Sequence, residues 1–163
     1  MGYSVRITNE TMDRELALDD YIPLRLTAAP CHDAMYYTVR KGDHSFLELT
    51  FDQDDAKVKR ITLLLCLNCR RLTEGFSLPG SYETGDVLVD SAADEDTETF
   101  ECIVYDDAVE ILVSNEAVCQ SVLSGNVLRG LSEEGKLISI CIVHLERDVV
   151  EHCWCELKQN AMG

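Results

Sequence analysis

The segment Ser45–Asp52 (SFLELTFD) alternates: Phe46, Glu48 and Thr50 face one way, Leu47, Leu49 and Phe51 the other. Side chains repeat every two residues only on an extended chain, so this segment is a strand with one face turned to a core. A polar turn, DQDDAK over 52–57, leads into VKRITLLLCL over 58–67. The second half of that run is apolar on both faces, as in a strand entering the middle of a sheet. Strand, polar turn and strand make a hairpin, which commits the chain to antiparallel sheet.

The same grammar recurs. MYYTVR (35–40) is aromatic and β-branched, and DVLV (86–89) is a brief strand. FECIVY (100–105) and VEILV (109–113) flank Asp106-Asp107 as a second hairpin. NVLRGL (126–131), a turn at Glu133-Glu134-Gly135 and KLISICIVHLE (136–146) make a third, and VVEHCWCEL (149–157) predicts a final strand. Helix signals are short. They cover 11–20 with Thr8 or Asn9 as cap, 116–123 with Ser114 or Asn115 as cap, and a piece near 70–73. The last lies in a loop over 68–85 rich in turn formers, and SAADEDTET (91–99) reads as an exposed loop or strand edge. The expectation is a single domain over 1–163. Its class is α+β, predominantly antiparallel β, a sheet or sandwich built of hairpins with one or two short helices. The first and third hairpins share a strand, an acidic turn, a Lys and an apolar strand. Either a degenerate internal duplication or the common grammar of hairpins produces such a match.

Charge is unevenly placed. The chain has 14 Lys+Arg and 30 Asp+Glu, a net of −16. Residues 72–128 contain thirteen Asp+Glu and no Lys or Arg, so most of the imbalance lies there. Phosphates would be repelled over most of such a surface, which argues against nucleic acid and anionic lipid as partners. A one-sign field costs stability and steers cations, so the stretch reads as a docking face for a basic protein. The candidate partner-binding residues are Asp86, Asp90, Asp94, Glu95, Asp96, Glu98, Glu101, Asp106, Asp107 and Glu110, with Tyr82 and Tyr105 as aromatic anchors.

Catalytic and metal motifs are not legible. Cys66-x-x-Cys69 and His152-Cys153-Trp154-Cys155 carry ligand-type residues, but neither has the glycine of a zinc knuckle. In a strand, Cys153 and Cys155 would share a face by alternation alone. Asp52-x-Asp54-Asp55 begins like a calcium loop, yet Lys57 and Leu63 stand where the loop needs Gly and Glu. No nucleophile elbow or phosphate-binding glycine loop is present. No catalytic residue, metal or cofactor is expected. The start of the chain lacks a basic region followed by an apolar one, and the apolar run 61–67 is far short of the roughly 20 residues of a membrane span. The expected location is the cytoplasm, with reduced thiols.

The phrases FLELTFDQDDAKVKRITLLL and LSEEGKLISICIVHL and the acidic middle resemble the small acidic immunity proteins of bacterial contact-dependent inhibition and polymorphic toxin systems. The resemblance covers about a third of the chain and carries over no individual residue. It implies a cytoplasmic, non-enzymatic inhibitor that binds a basic toxin domain, often a nuclease, and blocks its active site or substrate groove. Rival readings are a DNA-mimic or regulatory inhibitor of a host DNA-binding protein, a small-ligand-binding β-protein or enzyme, and a self-associating structural subunit.

Overall fold

A computed structural model describes residues 3–162, with side chains from 3 to 160. In chain order the elements are β1 (Tyr3–Thr8), β2 (Glu15–Ala17), β3 (Leu24–Thr27), β4 (Ala34–Lys41), β5 (Ser45–Asp52) and β6 (Val58–Leu65). Next come β7 (Cys69–Arg71), β8 (Glu83–Thr84), β9 (Asp86–Ala92) and β10 (Glu95–Asp96). The last are β11 (Glu101–Val104), β12 (Val109–Leu112), β13 (Gln120–Ser124), β14 (Val127–Leu131), β15 (Leu137–Ile142) and α1 (Arg147–Met162). The fold is α+β, dominated by antiparallel pairs. No helix among the described residues is long and apolar enough to cross a membrane.

The strands form two large sheets that share a five-strand plan. One runs β10-β4-β5-β6-β3-β2, the other β7-β11-β12-β15-β14-β13-β8. In each, a two-strand hairpin (β2-β3 or β11-β12) is followed by a three-strand meander (β4-β5-β6 or β13-β14-β15). The last meander strand returns to pair with the second hairpin strand. The repeat extends to register. Thr50 opposes Arg60 as Gly130 opposes Ser139, and Phe51 opposes Val58 as Leu131 opposes Leu137. Both hairpins carry a register shift at that step, between Thr50 and Phe51 and between Gly130 and Leu131. The likeness of the two hairpin phrases is therefore part of a repeat spanning both halves.

The strands that precede each half, β1 and β9, pair with each other, and Val5 opposes Val89. Val5 N–H donates to the Gly135 carbonyl (3.1 Å), and Val89 N–H donates to the Ala56 carbonyl (2.8 Å). Isolated bridges link Ser4 to Lys136 and Leu88 to Lys57. Each half thus inserts its leading strand beside the other half's hairpin turn, the pattern a two-fold axis through Val5–Val89 produces. The main core joins apolar residues of both sheets, β1, β9 and one face of α1.

The two outer sheet faces differ. In the second half Leu128, Cys141 and Leu123 are covered by Phe76 and Leu78 of the long loop after β7. The register places Glu48, Thr62 and Thr38 at the matching positions of the first half. That face is polar.

All three hairpins form as expected, but the helix assignments are corrected. The segment 149–157 is helix, not strand. Val149, Val150, Cys153 and Leu157 recur at helical spacing and are all buried, whereas Cys155 is exposed. The segment 11–20 is extended: Leu16 opposes Leu26, and Arg14 is drawn inward by Asp86. The segment 116–123 joins a sheet edge, where Cys119 N–H donates to the Leu131 carbonyl (2.8 Å). Near 70–73 the chain forms β7, parallel to β11.

Candidate functional site

A wide recess lies at the β13 edge of the seven-stranded sheet. There β8 pairs in parallel with only Val122 and Leu123, so the chain before it stands off the sheet. Gly85 sets the angle: a Cβ there would lie 2.2 Å from the Thr8 carbonyl oxygen, so only glycine lets the chain pass β1 into β9. The opposite wall is the bend before β13, where the Ser114 hydroxyl accepts from Glu116 N–H (3.1 Å). Gly130 lets Val118 lie close over β14, since a Cβ at 130 would meet Val118 at 3.0 Å. The β14–β15 turn supplies Ser132 and Glu133.

The groove encloses about 670 Å³. Tyr82 (41% exposed) and Val118 (47% exposed) present apolar surface to it. Glu83 and Glu133 line it, and Gln120 Nε2 donates to Glu83 Oε1 at 3.0 Å. A shallower recess of about 210 Å³ shares Cys119, Ser132 and Glu133 and adds Glu116 and Glu134. Neither is lined by Lys or Arg. A carboxylate rim around two exposed apolar side chains suits a cationic segment that also offers an apolar group.

Of the residues expected at the partner site, only Tyr82 lines this groove. Asp86 is 2% exposed and lies at the centre of the molecule, so it cannot touch a partner. It pairs with Arg129 (2.8 Å) and Arg14 (3.0 Å) and accepts from the Ser124 hydroxyl (2.8 Å) and its neighbour Val87 N–H (2.7 Å). Burial raises its carboxyl, but the two guanidinium groups together with the Val87 N–H and Ser124 hydroxyl outweigh burial and hold it below the usual range. Burial also lowers Arg14 to about 10 and raises the adjacent Tyr3 to about 12.

The other expected carboxylates fall into two groups. Beside β4, Asp94 accepts from Thr38 N–H (3.1 Å), Glu95 from the Tyr37 hydroxyl (2.7 Å), and Asp96 pairs with Arg40 (3.0 Å). Asp90 pairs with Arg6 (2.6 Å), and Glu98 is exposed. At the β11–β12 hairpin, Glu101 pairs with Arg70 (3.1 Å) and Asp106 with Arg71 (3.0 Å). Asp107 accepts from Phe76 N–H (2.8 Å). The Tyr105 hydroxyl donates to Glu110 (3.3 Å), and burial, then Glu110, raises that hydroxyl to about 12. Burial also raises Glu110. The acidic stretch is therefore partly neutralised in space by arginines from the near-neutral start of the chain.

Sequence reasoning did not find Val118, Glu83, Glu116, Glu133 or Glu134 as a group. Glu83 and Glu133 are separated by a whole half of the fold, and Val118 lay in a segment that reads as helix. Cys66, Cys69 and Cys153 do come near one another, but their fourth neighbour is Cys102, not Cys155. Among the described residues no group of three or more His, Cys, Asp or Glu side chains is arranged to hold a metal ion. Burial raises the Cys102 and Cys153 thiols, which makes them poor ligands and nucleophiles.

No family model matches the chain, and no curated protein matches it.

Proposed function

We propose that the protein is a non-enzymatic inhibitor of the immunity-protein type, which holds a basic toxin domain through the groove between Tyr82 and Val118. The observation that carries this reading is the composition of the groove: two exposed apolar side chains beside Glu83 and Glu133, with Glu116 in the adjoining recess and no Lys or Arg lining either, whereas Glu134 is met by Lys136 at 3.8 Å. Unlike charge would steer the partner in, and burial of Tyr82 and Val118 would slow its departure. The acids that pair with Arg6, Arg40, Arg70 and Arg71 contribute less, because their charge is already met. Acting on a toxin domain would place the protein in the cytoplasm.

The test is binding of the purified protein to the inactivated product of the neighbouring gene, followed over a salt series. Glu83→Lys with Glu133→Lys is expected to slow association by about tenfold or more at low salt. Tyr82→Ala is expected to speed dissociation instead. Unchanged kinetics in both variants would sink the proposal.

A further inference from the structure

The six-stranded sheet carries a second cavity that the acidic groove does not explain. It lies on the outer face of the sheet, where β4, β5, β6 and β3 align Tyr36, Thr50, Arg60 and Thr27 in one cross-strand row. The cavity encloses about 230 Å³, and these four residues line it together with Lys59 and Cys31. Thr50 is 5% exposed, yet its hydroxyl has no hydrogen-bond partner. The Nε of Arg60 is likewise buried without a partner. Seven other arginines, among them Arg25 on the same face, pair with a carboxylate, but Arg60 has no acidic partner among the described residues.

The nearby acids are already engaged. Asp55 holds Lys59 at 3.0 Å. The Asp52 carboxylate accepts from the backbone N–H groups of His32 (2.8 Å), Asp54 (3.0 Å) and Asp33 (3.3 Å). An unpartnered guanidinium Nε–H and an unpartnered hydroxyl thus sit in the wall of this cavity, in a protein of net charge −16.

The other half of the molecule provides an internal control. Register puts Gly130 where Thr50 stands, Ser139 where Arg60 stands and Ser121 where Tyr36 stands. There Val118 packs against Gly130, and the same backbone is built from small neutral residues. The fold therefore does not require a cation at the Arg60 position or a hydroxyl at the Thr50 position. What they add is chemistry: a planar fork of donors beside a hydroxyl, walled by an aromatic ring, which matches a carboxylate or phosphate group.

We propose that this cavity is a binding site for a small oxyanion, with Arg60 and Thr50 as its direct ligands and Tyr36 as its outer wall. The volume is several times a water molecule's share of about 30 Å³, enough for a phosphate or a short carboxylate. Lys59, tied to Asp55, adds positive potential without being free to bind.

The experiment is an NMR titration of the full chain with inorganic phosphate and, separately, with acetate, at constant ionic strength against sodium chloride. Saturable shifts at the Thr50 and Arg60 amides and the Arg60 Nε–H are expected, with a dissociation constant of about millimolar order. Tighter binding of phosphate assigns a phosphorylated ligand, and tighter binding of acetate a carboxylate. Arg60→Gln is expected to weaken binding by about tenfold, whereas Arg147→Gln, on the exposed start of α1, leaves it unchanged. Thr50→Val keeps a β-branched side chain in the strand and serves if Arg60→Gln does not fold. It is expected to weaken binding by about threefold. Shifts no larger than those with chloride, or equal affinity in the two cavity variants and the parent, overturn the proposal.

Discussion

The two halves of this protein share a backbone plan and differ in what they bury at its centre. In the first half the middle strand, β5, places Leu49 in the core, opposite Ile61. In the second half the matching position on β14 is Arg129, opposite Ile140 and 1% exposed. One arrangement is an ordinary apolar contact. The other is a buried ionic cluster in which Asp86 bridges Arg129 of one half and Arg14 of the other. A repeated backbone thus accepts either solution, but only the ionic one ties the halves together by hydrogen bonds.

The largest effect expected from breaking this contrast is at Asp86. Asp86→Ala leaves two buried guanidinium groups without a counter-charge and is expected to cost about 3–5 kcal/mol in a urea unfolding curve. Replacing the whole cluster by apolar residues (Arg14→Met, Asp86→Leu, Arg129→Met) makes the second half resemble the first. That variant is expected to fall within about 1 kcal/mol of the parent. A triple variant as unstable as Asp86→Ala would mean that the ion cluster is needed for more than charge balance.

Acid reads the same contrast through protons. The folded state holds the Asp86 carboxyl below its ordinary range, so its contribution is complete above the unfolded value of about 3.9 and is lost as pH falls through the folded value. Glu110 has the opposite sign. Burial, then Glu101, raise it, so its ionised form costs stability and its protonation on acidification relieves that cost. Melting temperature is therefore expected to stay level or rise slightly as pH falls from neutral toward the carboxylate range, then drop steeply below about 4. In Asp86→Asn the steep part is expected to shrink. An unchanged acid limb in that variant would assign the loss to other carboxylates.

How much of this was visible in the sequence follows from the range of the interactions. The hairpins were legible because alternation is local: Ser45–Asp52 and the apolar run after the turn report their own geometry. The α1 segment was not, because Val149-Val150 and the two cysteines at 153 and 155 mimic alternation over nine residues. Only the distance from Val150 to Leu157 reveals the helical period. The acidic stretch was legible as a charge count and not as a surface. Arg6 and Asp90 meet only because β1 pairs with β9, a contact between the leading strands of the two halves that no local pattern reports. The groove likewise depends on long-range pairing, since Tyr82 and Glu133 are joined only through the order β8-β13-β14.

The smallest test concerns the two hairpin turns, which hold the same job with different residues. Gly135 and Ala56 each precede the equivalent lysine, each has positive φ (80° and 62°), and each offers its carbonyl to a valine of the opposite half. At 135 a Cβ would lie 2.8 Å from the Val5 carbonyl oxygen, on backbone that cannot easily yield. Gly135→Ala therefore adds a clash to the left-handed penalty and is expected to lower stability by about 2 kcal/mol or more. At 56 the alanine already bears the left-handed penalty, about 1–2 kcal/mol, without such a clash. Ala56→Gly removes that penalty but gives the unfolded chain more freedom, worth about 0.5–1 kcal/mol in the other direction. The net is an expected gain of about 0–1.5 kcal/mol, small but opposite in sign to the change at 135. Equal losses at both turns would mean that the two halves do not use their turns in the same way, and that the two-fold relation ends at the strands.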